Sequence, residues 1–319
     1  MTRFAHIPAL RIFAGTTLVV GMAGAASASL LASESFEVGP GADTNDADGI
    51  YETDATIVGT SPDTFGFAAE ATWNLATGAS TSIAQADGLA LTGVANSGGS
   101  VTFTQTGGTG TGSSTVSRGL DTDTTGVTGN TFFASFLIER SDVSAGSNRT
   151  ELNFTRNGTG SAGTGPLSIG LDDDELSLLY NTFDSSGNTT LLSSDSGSGL
   201  DLAANTTYFL VLEVEADGGT AAGADRVVAR LFKEGDTIEI GGESGSLVGL
   251  DADVFNPTDG SFAAVQPRTA AGGYTVDETF TFDEIRVGTT FDSVVPEPGS
   301  LALIGLGSVL ALTRRRTAS

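Results

Sequence analysis

Alternation with a period of two constrains this chain more than any other feature. In Tyr208 to Glu215 (YFLVLEVE), one face carries Tyr208, Leu210, Leu212 and Val214, and the other starts apolar and ends in Glu213 and Glu215. Leu152 and Phe154 alternate with Glu151, Asn153 and Thr155, and Val227, Ala229 and Leu231 alternate with Arg226, Val228 and Arg230. Thr131 to Ile138 (TFFASFLI) is apolar on both parities, as a strand covered on both faces would be. Between residues 29 and 298 no amphipathic helical pattern exceeds about two turns.

Further strands are predicted at Ser35–Val38, Phe65–Trp73, Gly88–Leu91, Val101–Gln105, Leu167–Leu171, Glu175–Tyr180, Thr237–Ile240, Phe262–Val265 and Phe280–Val287. The last changes phase: Phe280 and Phe282 share one parity, Ile285 and Val287 the other. A bulge near Asp283-Glu284 would reconcile them, as would burial on both faces. Stretches such as Gly107–Ser114, Asn157–Gly165 and Asp217–Gly223 separate the runs with Gly, Ser, Thr, Asn and Asp, the residues of tight turns. Short strands and closely spaced turns without long helices predict an all-β fold, an antiparallel β-sandwich. With no internal repeat or central linker, residues 29–294 read as one domain.

The ends read differently. Arg3, His6 and Arg11 precede an apolar run from Ile12 to Ala26, and Ala26-Ser27-Ala28 offers small residues to a signal peptidase. Residues 1–28 are therefore expected to be a signal peptide, helical before removal and cut after Ala28. At the other end, Val295-Pro296-Glu297-Pro298 breaks secondary structure. Gly299 to Thr313 follows without a charge, and Arg314, Arg315 and Arg316 close the segment. Those arginines would stay cytoplasmic, the orientation the leader also demands. At 1.5 Å per residue the span would cover roughly 22 Å, short of the ~30 Å hydrocarbon core. It suits a short, transient transmembrane helix.

Residues 295–319 resemble the PEP-CTERM sorting signal of Gram-negative and related bacteria. The match rests on Pro-Glu-Pro, the Leu/Gly-rich span and the arginine cluster, from Val295 to Arg316 in order. That resemblance implies recognition by an exosortase, a membrane-embedded transpeptidase-like enzyme, in species that make exopolysaccharide. It further implies delivery to the outer surface or extracellular matrix. The domain itself resembles concanavalin A/laminin-G-like jelly rolls at the opening Glu34-Ser35-Phe36-Glu37 and the closing Phe282 to Gly288 (FDEIRVG). In that family the first and last strands lie side by side.

Composition prunes the chemistry. The chain has no Cys, and its only His, His6, leaves with the leader, so thiol, histidine-triad and histidine-metal chemistry are excluded. Residues 29–298 hold nine bases against all 39 acids, a net charge of −30. Such a surface repels nucleic acid and anionic lipid, leaving membrane contact to the terminal segments.

Carboxylates remain. Asp43, Asn45, Asp46 and Asp48 present oxygen ligands at close spacing, a candidate Ca²⁺ loop whose alternative is a solvated acidic turn. Asp172-Asp173-Asp174-Glu175 reads rather as a turn before a strand, and Asp251 with Asp253 is a weaker pair. Glu213 and Glu215 would lie about 7 Å apart on one strand face, a spacing that a glycosidase or lyase could use, though alternating surface acids explain it more simply. Trp73, the sole Trp, is a candidate sugar platform or, equally, a core residue. The resulting expectation is a non-enzymatic exported protein, structural or adhesive within exopolysaccharide. A lectin-like carbohydrate-binding module is the first alternative and a carboxylate-based enzyme the second.

Overall fold

The computed structural model describes residues 30–37, 74–77, 81–85, 87–95, 98–105, 113–120, 131–141, 148–155, 167–172, 175–183, 189–195, 200, 202–215, 225–252, 264–271 and 278–295. In chain order the strands are β1 (Leu30–Glu34), β2 (Asn74–Thr77), β3 (Thr81–Gln85), β4 (Ser100–Gln105), β5 (Ser113–Gly119), β6 (Thr131–Arg140), β7 (Asn148–Thr155) and β8 (Leu167–Asp172). They continue as β9 (Glu175–Phe183), β10 (Thr189–Asp195), β11 (Tyr208–Glu215), β12 (Asp225–Phe232), β13 (Gly245–Ala252), β14 (Ala264–Ala271) and β15 (Glu278–Gly288), followed by a short helix, α1 (Phe291–Val294).

The strands form two antiparallel sheets. One runs β13-β12-β11-β6-β15-β4-β3, with β1 also on β15; the other runs β10-β9-β8-β7-β14-β5-β2. Phe132, Phe136, Leu210 and Leu212 of the first sheet share one buried cluster with Leu152, Phe154, Ile169 and Leu178 of the second. This is the packed sandwich that the alternation predicts. Among the described residues no helix is long and apolar enough to cross a membrane. The expected signal helix and C-terminal transmembrane helix lie outside them, as does the Phe65–Trp73 strand.

β6 is buried on both faces, and the second face has its own core. Phe133 and Leu137 pack with Phe209, Val211 and Phe232 on the outer side of the first sheet. Three non-strand segments cover them: Leu89, Leu91 and Val94 from one loop, Ile238 from another, and Phe291, Val294 and Val295 at the C-terminal end. Two predicted strands are corrected here. Gly88–Leu91 has only an isolated bridge from Leu91 to Val94, and Thr237–Ile240 is a run of bends and turns. Their apolar residues cover a sheet instead of joining one. Glu234 ties the two loops together, accepting hydrogen bonds from the amide and hydroxyl of Thr92 at 3.2 and 2.6 Å. Those bonds hold its carboxyl below the ordinary range.

The phase change in β15 is a bulge. Asp283 pairs with Leu137, whereas Arg286 pairs with Ser135, so β15 carries one residue more than β6. Glu284 takes up the difference at φ +49°, a left-handed conformation that costs of order 1 kcal/mol for a non-glycine residue. With the bulge, Phe280, Phe282, Ile285 and Val287 all reach the same core.

The first and last strands are neighbours. β1 pairs with β15 from Leu30↔Gly288 to Glu34↔Ile285, while β4 pairs with the other half of β15, Glu278 to Phe282. The opening strand ends at Glu34, however, and Ser35 to Glu37 of the predicted Ser35–Val38 run are not strand; Phe36 is fully buried with φ +50°. Gly99 faces that turn, where a Cβ would lie 1.7 Å from the Phe36 carbonyl oxygen, so only glycine allows the approach.

Two ion pairs sit in the sandwich interior. Arg118 Nη1 of β5 lies 2.5 Å from Glu34 Oε2 of β1 and so spans the sheets. Arg140 of β6 pairs with Glu278 of β15 at 3.1 Å, with its guanidinium 5.7 Å from the Phe280 ring centre.

Candidate functional site

The acidic end of the β1–β15 seam is the first place where polar groups converge. Glu34 accepts the Phe36 amide at 3.0 Å as well as Arg118. On the other side of the bulge, Asp283 accepts the Leu89 amide at 2.9 Å and the Glu284 amide at 2.6 Å, and Glu284 pairs with Arg286 at 3.1 Å. Burial pushes the Asp283 carboxyl up to about 8. The neighbouring Glu284 charge reinforces this, the two amides oppose it, and Glu34 adds a smaller push upward. These groups tie the Leu89 loop and the opening strand to the bulge. Among the described residues no group of three or more His, Cys, Asp or Glu side chains is arranged to hold a metal ion.

A second polar set lies across the middle of the other sheet, on the face turned away from the core. Leu152 and Phe154 of β7 point inward, so Glu151 and Asn153 take the outer parity; on β8 and β9 the same parity carries Ser168 and Ser177. All four are buried, at 1% exposure for Glu151, 2% for Asn153, 5% for Ser168 and 1% for Ser177. Ser168 Oγ donates to Glu151 Oε2 at 3.1 Å. Asn153 Oδ1 and Ser177 Oγ have no hydrogen-bond partner among the described residues. Gly170 stands between Glu151 and Ser177 in register, and a Cβ there would meet the Thr150 carbonyl oxygen at 2.0 Å. Arg149 and Asp172 close one end, with two guanidinium nitrogens donating to Asp172 Oδ2 at 2.9 and 3.2 Å. One carboxylate, one amide and two hydroxyls thus lie side by side on adjacent strands, each no more than 5% exposed. Alternation marks Glu151 and Asn153 as facing away from the core, but it carries no sign that this polar face is covered.

The sequence-derived candidates fare unevenly. Asp43, Asn45, Asp46, Asp48 and Trp73 lie outside the described residues, as do Ala26, Ala28, Pro296, Glu297, Pro298 and Arg314 to Arg316. Asp172 ends β8 and Glu175 opens β9, in mutual register, while Asp173 and Asp174 lie outside the described residues. Asp251 lies within β13. Glu213 and Glu215 are held in an ion-pair ladder: Arg226 reaches Glu213 at 3.2 Å and Glu215 at 3.6 Å, and Arg230 reaches Glu213 at 2.5 Å.

At its end the folded part runs directly into the sorting segment. Val294 is fully buried and Val295 packs half-buried beside it, immediately before Pro296.

No curated protein matches the sequence. Among solved structures, the chain is similar to an endo-β-1,4-glucuronan lyase from the fungus Trichoderma reesei, with 15% identity and a TM-score of 0.42 over 70% of this chain and 90% of that one. It is similar to the binding domain of botulinum neurotoxin serotype D, with 8% identity and a TM-score of 0.45, covering 83% of this chain and 50% of that one. The botulinum neurotoxin DC binding domain, solved with rat synaptotagmin II, gives 10% identity and a TM-score of 0.43, covering 76% and 50%. The chain thus spans about half the length of those neurotoxin chains. Residues 294–316 match the PEP-CTERM protein-sorting motif. That motif implies an exported protein that an exosortase sorts.

Proposed function

We propose that this is a surface or matrix protein in which an acidic β-sandwich is the cargo and residues 295–319 the address. The sandwich serves a structural or adhesive role within exopolysaccharide, without catalysis. One observation carries the reading: the matched motif begins at Val294, a buried residue of the helix that packs on the sandwich, so cargo and address are continuous. Ion pairing of Glu213 and Glu215 with Arg226 and Arg230 supports a structural role for these two acids. Deleting Pro296–Ser319 leaves the packed residues untouched. It should lower the surface-exposed fraction at least tenfold, measured by protease shaving of intact cells. Unchanged surface delivery would reject exosortase dependence.

A lectin-like role is the second reading, and the polar row of Glu151, Asn153, Ser168 and Ser177 favours it. Asn153→Ala with Ser177→Ala removes the two acceptors that lack a partner among the described residues, without opening the core. On a glycan array, the exported protein should bind one sugar class, and the double variant should lose at least tenfold in signal. Equal signal from both proteins would locate binding elsewhere.

A further inference from the structure

The helix α1 is four residues long, yet it is fastened on every side. Thr290 and Ser293 form a reciprocal cap: the Ser293 amide donates to Thr290 Oγ1 and the Thr290 amide to Ser293 Oγ, both at 3.2 Å. The Phe291 ring packs against Phe133 and Phe232, with centroids 6.4 and 6.2 Å apart. Ser135 Oγ, fully buried on β6, donates to the Val294 carbonyl at 2.5 Å, and the Val295 amide donates to the Phe291 carbonyl at 3.2 Å. Gly288 presses against the same turn, since a Cβ there would lie 2.2 Å from Ser293 Oγ. The first two residues of the matched sorting motif are therefore part of the fold.

A processing enzyme must hold several substrate residues in an extended form on either side of the bond it attacks. Residues 291–294 can adopt that form only by undocking, which exposes a buried Phe and a buried Val and disfavours the open state by on the order of a hundredfold. From Val295 to Gly299, where the apolar segment starts, the chain spans at most about 14 Å when extended.

We infer that α1 is a latch that sets the upstream limit of processing: the mature protein keeps Phe291–Val295, and the bond that breaks lies beyond Val295. There the peptide C–N bond is cleaved, its acyl carbon passing to water or to an amine acceptor, and its amino group leaving on the arginine-bearing tail. The inference rests on the exosortase reading, and the test separates the two. Intact mass of the native exported product should show a carboxyl end at Val295 or later. An end before Val295 overturns the latch, whereas an uncut chain overturns the sorting reading itself. In the full-length chain, Thr290→Ala weakens the cap without opening the core. Broad-specificity proteolysis of that variant should raise cuts within Thr289–Val295 several-fold while Tm falls by only a few degrees. A cleavage pattern identical to the unsubstituted chain overturns the latch as well.

Discussion

Replacing Arg118 with Met should destabilise the protein by about 3–5 kcal/mol. For a domain of this size that lowers Tm by on the order of 10 °C. Both side chains of the Arg118–Glu34 pair are almost inaccessible, at 2% and 0%, so removing the guanidinium leaves Glu34 with a charge in the interior. It must either stay desolvated or take up a proton that its free carboxylate would not hold at pH 7. The effect falls on the sandwich as a whole, because the pair links β1 in one sheet to β5 in the other. The double variant Arg118→Met with Glu34→Leu should recover most of the loss, since an apolar pair of similar volume needs no counter-charge. Thermal unfolding of the three proteins at pH 7 decides it, and a double variant no more stable than the single one would show that the charge pairing is not what holds this seam.

The second large effect is on pH dependence. The Asp283 carboxyl is raised from 3.8 to about 8 in the fold. A group with a raised folded pKa contributes stability that is complete below about pH 4, is lost as pH climbs toward 8, and changes no further above it. At its steepest the loss approaches 1.4 kcal/mol per pH unit, with a total of several kcal/mol. Few groups in the chain have ordinary pKa values between about pH 5.5 and 9, since it has no Cys and a single His. Tm measured across that range should fall steadily with rising pH. In Asp283→Asn, which keeps an acceptor for one of the two backbone amides, the curve should be nearly flat. If the Asn variant falls just as steeply, the slope belongs to some other group.

Much of the architecture was legible in the residues. The two-sided apolar run of Thr131–Ile138 points to a strand covered on both faces, and the parity switch between Phe282 and Ile285 allows either a bulge or two-sided burial, of which Glu284 makes the bulge. The pairing of β1 with β15 matched the expected adjacency of first and last strands. Misreadings arose where burial and polarity part company. Leu30 to Glu34 carries little strand signal, because its inward residues are Ala32 and a carboxylate, whereas Phe36, which carries one, is buried through a left-handed turn. Gly107–Ser114 reads as a turn, yet Ser113 and Ser114 open β5, a strand whose small polar residues outweigh Val116 and whose inward Arg118 is the opposite of an apolar signal. Leu89, Leu91 and Ile238 looked like strand residues because a loop that covers a sheet needs the same apolar contacts as a strand within it. The row around Glu151 and Asn153 was invisible as a site, since Ser, Asn and Glu at alternate positions are what a solvated face would also carry.

The seam between β1 and β15 also fixes when the protein can finish folding. β15 separates β6 from both β4 and β1, so until residue 288 arrives the first sheet exists only as unjoined pieces. Closing it joins residues at opposite ends of the domain, among the slowest kinds of contact to form. A polypeptide threaded across a membrane from its amino terminus would thus remain export-competent and incomplete until nearly all of it had passed through. The sandwich would close only as the sorting segment itself reached the bilayer.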